Sequence, residues 1–329
     1  MAWLSGWKYR KSVTISGSTG AGTNYQVPLN VGESSGATGY DFHLNGHSAS
    51  FPSDKNQGGD LRFTSSDGST LLDFWVESVS GTSPNRVAKI WVEVSADLGS
   101  NQFIYCYYGN PSATNSSNGV NTFLFFDDFE GTSLDTNKWP GYQGNISVGS
   151  SIVTLSPASP CSEIRGSTSF ARTLAFRSKM KIVPVSYTNY NSGLWGVDSN
   201  TVGGVDNANI SNAIMWGFAW QDKTKNASYV EISNKWYFVA DTTNHFNDFY
   251  IWEFRWLTDK VNYYINDTYR IQQSQNLNVN LYPRLKCTSD TGQYTYADWI
   301  LIRKCIATEP VFSSAGSEET PPAFLLFFN

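Results

Sequence analysis

The stretch Tyr250–Trp256, YIWEFRW, sets Trp252, Phe254 and Trp256 at every second position, with Glu253 and Arg255 between them. Side chains of a β-strand change face at each residue, so this spacing puts the aromatics on one side and the charges on the other. A helix would scatter them around its axis. The same period runs outward through the chain. In YQVPLNV, Tyr25, Val27, Leu29 and Val31 share a face. Pro28, on the other face, cannot donate to a ladder and predicts an edge or an unpaired side. RVAKIWVEV sets Ala88, Ile90, Val92 and Val94 against Lys89, Trp91 and Glu93. FRSKMKIV sets Phe176, Ser178, Met180 and Ile182 against Arg177, Lys179 and Lys181. DLRFTSSDGSTLLDFWVES reads as strand, Ser-Asp-Gly turn, strand. KVNYYINDTYRI reads as a strand and a turn, and ADWILIRK as a closing strand. No stretch keeps a 3.6-residue period with caps.

Composition agrees. The chain has 329 residues, enough for two domains, and 40% of them are hydrophobic. Charged residues make up only 16%, while aromatics reach 15% with 12 Trp and 18 Tyr, a balance suited to sheets with polar loops. The net charge is −5 with no Lys/Arg cluster, which argues against a nucleic-acid partner. No run of about 18 apolar residues exists to span a membrane. MAWLSGWKYRK lacks a basic segment followed by an apolar one, so it does not read as a signal peptide. A cytoplasmic protein, a mature fragment with its leader replaced, and a virion protein released by lysis all fit. The polar stretch SATNSSNGVNT, residues 112–122, carries no apolar period and is the expected linker. The expectation is all-β: two consecutive antiparallel β-sandwiches of jelly-roll type, residues 1–111 and 123–310, then a tail over 311–329.

Two family likenesses attach to these strands. WKYRKSVTI, GGDLRFTSSDGSTLLDFWVES and IYCYYGNPSA together resemble, over about residues 3–120, a β-rich domain of unknown function found in archaeal, bacterial and viral surface proteins. FFDDFEGTSLDTNKW, IWEFRWLTDKVNYYIND and ADWILIRK resemble the opening, middle and last strands of a concanavalin A-like jelly roll of laminin-G or laminarinase type, over about 123–306. The first likeness implies a surface setting and no chemistry. The second implies a structural calcium where the opening-strand acid and the last-strand Asp meet; by position these are Asp128 and Asp298. Alternation puts Glu130 on the side of Asp128 as a helper. Calcium needs six to eight oxygens, so carbonyls and water would complete the site. Equally, these acids read as solvated residues at a strand start.

The laminarinase-type relatives hydrolyse glucans with a Glu-x-Asp-x-x-Glu strand. Glu163, Glu231 and Glu253 are followed by Ile-Arg, Ile-Ser and Phe-Arg, and none begins that pattern. Retaining hydrolysis needs two carboxyls about 5–5.5 Å apart; the nearest substitute, Glu231 with Asp222, would have to come together through the fold. No catalytic residue is assigned. His43 and His47 in HLNGH flank a turn-forming Asn-Gly without a third ligand, and His245 is the one remaining histidine. GSTGAGTN lacks the Lys-Ser/Thr of a phosphate loop and reads as a hairpin. Cys106, Cys161, Cys287 and Cys305 form no C-x-x-C pair; Cys287 and Cys305 read as a bridge or as buried thiols.

The aromatics point to sugar. Pyranose rings lie on Trp or Tyr faces while amides and carboxylates hold hydroxyls. Trp195, Trp216, Trp220 and Trp236 are the candidate platform, on the concave sheet that carries ligands in the resembled superfamily. After Pro321 and Pro322, the apolar run holding Phe324, Leu325, Leu326, Phe327 and Phe328 needs cover. It packs on its own domain or adds to a neighbour's edge in self-association. The expected function is therefore non-enzymatic: a surface or virion protein that binds a glycan through its second domain. The alternatives are a subunit of an extracellular filament, tail or capsid, and a degenerate glycoside hydrolase.

Overall fold

The computed structural model describes residues 2–183, 212–218, 226–233, 235–288 and 292–322. The chain is all-β and almost wholly antiparallel, and it divides into two units. The first runs to Leu124 and resumes at Ile306; Phe125–Cys305 form the second.

The first unit holds β1 (Tyr9–Ser16), β2 (Tyr25–Gly32), β3 (Phe42–His43), β4 (Arg62–Thr64), β5 (Leu71–Leu72), β6 (Phe74–Ser80), β7 (Val87–Val94), β8 (Gln102–Tyr108) and the one-turn helix α1 (Gly119–Thr122). The second holds β9 (Phe125–Asp127), β10 (Gly141–Gln143), β11 (Asn145–Gly149), β12 (Ile152–Ser156), β13 (Cys161–Arg165), β14 (Leu174–Val183), β15 (Asn212–Phe218), β16 (Asn226–Ile232), β17 (Lys235–Ala240), β18 (Tyr250–Trp256), β19 (Val261–Ile265), β20 (Thr268–Gln273), β21 (Arg284–Thr288) and β22 (Tyr294–Lys304). The last strand, β23 (Val311–Ala315), returns to the first unit.

In the first unit one sheet runs β23-β1-β8-β4-β5 and the other β3-β2-β7-β6. Val13 and Ile15 from the first sheet meet Val27, Leu29, Val31, Ile90 and Val92 from the second in one buried core. Side-chain alternation makes that sandwich, since each sheet offers one apolar face. β3 covers only Val31 and Gly32 of β2, so the stretch around Pro28 is an open edge, as its missing N–H requires.

The structure moves two boundaries. Residues 112–122 are not a loose linker. Ser117 Oγ accepts from Val76 N–H at 3.0 Å, Asn115 Oδ1 from Gly58 N–H at 2.8 Å, and Phe74 O from Asn118 N–H at 2.8 Å. Polar side chains here replace the strand partner that β6 lacks on this edge, and Phe123 fills the space between Trp75 and Trp91. Residues 311–319 are not a tail either. β23 pairs with β1 through Val13↔Ala315 and Ser16↔Val311, and Arg10 and Glu319 exchange both backbone hydrogen bonds. Phe312 packs against that unit's core. The second unit is thus inserted between β8 and the strand that completes the first.

In the second unit the largest sheet runs β11-β12-β22-β14-β18-β19-β20, with β9 also on β22. Two smaller sheets run β10-β13-β21 and β15-β16-β17. All three feed one core, where Trp252, Phe254 and Trp256 join Phe176, Met180, Ile164, Leu285, Trp216, Ile300 and Ile302. The alternation of YIWEFRW holds. Its charged face is not solvated, however: Glu253, Arg177 and Arg303 are each 1% exposed. Glu253 meets Arg177 Nη1 at 3.1 Å, Arg303 Nη2 at 3.2 Å and Arg255 Nε at 2.6 Å. Burial opposes its charge, but Arg303, Arg255 and Arg177 outweigh burial and hold the carboxyl at about 2.

Candidate functional site

The stretch FFDDFEGTSLDTNKW builds a clasp. Asp127, buried at the end of β9, accepts from Trp139 Nε1 at 2.5 Å and from Phe129 N–H at 3.0 Å. Trp139 stacks on Phe129 and meets Phe125 edge-on. The intervening loop is closed by Asp135, whose carboxylate accepts from Asn137 N–H and whose carbonyl accepts from Trp139 N–H. The loop stands out as one wall of a groove. The other wall is β10 and β11, which turn at Gly144 with φ +79°. A Cβ there would come within 2.5 Å of Ser162 Oγ, so only glycine fits.

The groove encloses about 440 Å³, within the usual size of small-ligand sites. Leu134, Ile146 and Val148 form its floor and pack on the core. Thr132, Ser133, Thr136 and Ser147 offer hydroxyls, and the Tyr142 ring is 52% exposed beside them. None of its lining residues carries a charge. An exposed ring, hydroxyls that both donate and accept, and an apolar floor suit a neutral polyhydroxylated ligand. Sequence reading passed over Tyr142; its signal was a lone aromatic between Gly141 and Gly144.

The predicted sites fare differently. Trp216 is fully buried, packs on Trp252 and Tyr263, and donates Nε1 to Tyr264 O at 3.3 Å, so it is core and not platform. Trp195 and Trp220 lie outside the described residues, as do the side chain of Trp236, Asp222, and the apolar run Phe324, Leu325, Leu326, Phe327 and Phe328. Asp128 is half-buried and Glu130 exposed. Asp298 sits 2.7 Å from Lys179 Nζ. Among the described residues no group of three or more His, Cys, Asp or Glu could hold a metal. Of the expected donors, Asp298 has Lys179 as a counter-ion, and the buried acid of the opening strand is Asp127, engaged by Trp139. His47 turns to Glu318 at 2.9 Å and stacks on Tyr9, whereas His43 Nδ1 accepts from Asn45 N–H, so the two histidines do not converge. All four cysteines are buried and free.

Three buried acids of the second unit, Glu163, Asp241 and Glu253, are matched to cations. Glu163 pairs with Arg284 across the smaller sheet, and burial pushes that guanidinium down to about 10. Asp241 takes Arg270 in a two-pronged pair. With Glu253 enclosed by arginines, these carboxylates serve structure.

A domain of unknown function (DUF2341) matches residues 57–141. The match takes in DLRFTSSDG and YYGNPSA and runs through β9 to the start of β10. No curated protein matches the chain. Among solved structures, an endo-β-1,3-glucanase from Pyrococcus furiosus is similar at 13% identity and a TM-score of 0.41, over 58% of this chain and 95% of that one. The catalytic domain of a laminarinase from Thermotoga petrophila RKU-1 is similar at 12% identity and 0.41, over 56% and 97%. LamAcat from Zobellia galactanivorans is similar at 14% identity and 0.40, over 56% and 98%. At such values nothing of their activity carries over to this chain.

Proposed function

We propose that this chain is a non-enzymatic surface or virion protein that adheres to a neutral glycan through its second unit. The observation that carries this reading is the charge-free groove with the half-exposed Tyr142 ring over a hydroxyl-bearing wall. A sugar ring on Tyr142 would bury its apolar face, and Thr132, Ser133, Thr136 and Ser147 would meet its hydroxyls. The groove holds neither a nucleophile nor a proton donor of carboxyl type. Binding without cleavage is the reading this lining supports.

A glycan array with the full chain tests it. Neutral oligosaccharide hits that vanish for Tyr142→Ala, with unchanged melting, are the expected result. An array without hits, or hits indifferent to Tyr142, would defeat the reading.

A further inference from the structure

A second surface lies on the large sheet of this unit, on the side away from its core. On β22, Ala297 joins the core, whereas Tyr294 and Tyr296 point the opposite way. Their rings stack 6.0 Å apart with 23° between planes. Tyr296 faces Lys181 on β14 and Thr154 on β12. Lys181 Nζ hangs 4.3 Å from the Tyr296 ring centre and 5.3 Å from that of Phe249. Lys179 also reaches the Phe249 ring, but Asp298 neutralises it at 2.7 Å. No carboxylate among the described residues pairs with Lys181. Tyr294, Tyr296, Phe249 and Lys181 are all partly exposed. The result is a row of rings on the sheet with one ammonium held over them that no carboxylate among the described residues compensates.

We propose that this face binds an acidic polysaccharide. The tyrosine rings take pyranose faces, and Lys181 pairs with a carboxylate or sulfate on the sugar. The rings alone would accept a neutral chain or a stacked base. Lys181, which no carboxylate among the described residues pairs with, adds a partner for an acidic group carried on the sugar. The proposal is independent of the groove, because Tyr142 has no part in it.

Affinity electrophoresis of the full chain through polygalacturonate, dextran sulfate and uncharged dextran tests it. Retardation by polygalacturonate identifies a carboxylate ligand, and by dextran sulfate a sulfated one. Either should weaken about tenfold in Lys181→Gln and in Tyr296→Ala, and fade with salt. Lys181→Arg, which keeps the charge and the fold, and Tyr142→Ala should both bind as the wild type does. Absence of retardation by both acidic polymers, wild-type retardation of Lys181→Gln, retardation of Tyr142→Ala by uncharged dextran equal to that by the acidic polymers, or tighter binding to an oligothymidylate would each overturn the proposal.

Discussion

Replacing Glu253 by Gln should cost the protein about 3 kcal/mol at neutral pH. The carboxyl is displaced from an ordinary 4.5 to about 2, and it is 1% exposed, so solvent does little to screen the effect. That displacement corresponds to about 3 kcal/mol of stabilisation at pH 7. Breaking a buried pair from one side costs about 3–5 kcal/mol by comparison. The lower end applies here, because Arg177 keeps Asp267 at 2.6 Å when Glu253 is neutralised. In a unit of this size the loss lowers the melting temperature by about 6–12 °C. Because the folded-state value is depressed, the stabilisation is complete above the unfolded value and is lost as pH falls from about 4.5 toward 2. At pH 3.5 the difference between wild type and Glu253→Gln should therefore shrink to about 2 kcal/mol. Scanning calorimetry at both pH values reads this directly. A difference under about 1 kcal/mol at pH 7, or one that stays constant down to pH 3.5, would refute the electrostatic account of this cage.

Three further outcomes follow from the same geometry. Arg10 ties three segments together, since it bonds Ala2 O, Tyr107 OH and Glu319 and lies over the rings of Trp3 and Tyr105. Arg10→Met should cost about 2–4 kcal/mol and speed amide exchange along β23; unchanged protection of β23 would contradict the role of that staple. Gly144→Ala should cost about 1–3 kcal/mol through its φ of +79° and the collision with Ser162, and it should abolish glycan binding by moving β10; a variant with wild-type binding would show that the turn does not shape the groove. Millimolar calcium should leave the melting temperature unchanged, because Lys179 already neutralises Asp298; a rise reversed by chelator would contradict this.

Alternation made the sheets legible. The period-two aromatics of β18 and the apolar face of β2 point inward as their spacing requires. What escaped depends on partners far away in sequence. Val311–Ala315 is a short run whose partner lies some 300 positions earlier, at β1, and no local pattern announces that pairing. In the sequence Glu253 is only a charge on the face opposite the aromatics, until β14 and β22 bring Arg177 and Arg303 beside it. Trp216 has the composition of a sugar platform, yet burial against Trp252 decides otherwise. The Asn and Ser residues of 112–122 look like a spacer because their task is to bond backbone groups on loops and on β6. The groove is likewise assembled from a loop and two short strands, none of which has a strong period.

The central claim is adhesion without reaction, and one titration tests it most directly. An oligosaccharide that binds in the array is titrated calorimetrically into the full chain, and the sugar is then recovered and sized by chromatography. Saturable binding, about tenfold weaker for Tyr142→Ala, with the sugar recovered intact, is the predicted result. A shortened sugar would show that a hydrolytic pair operates and would contradict the account.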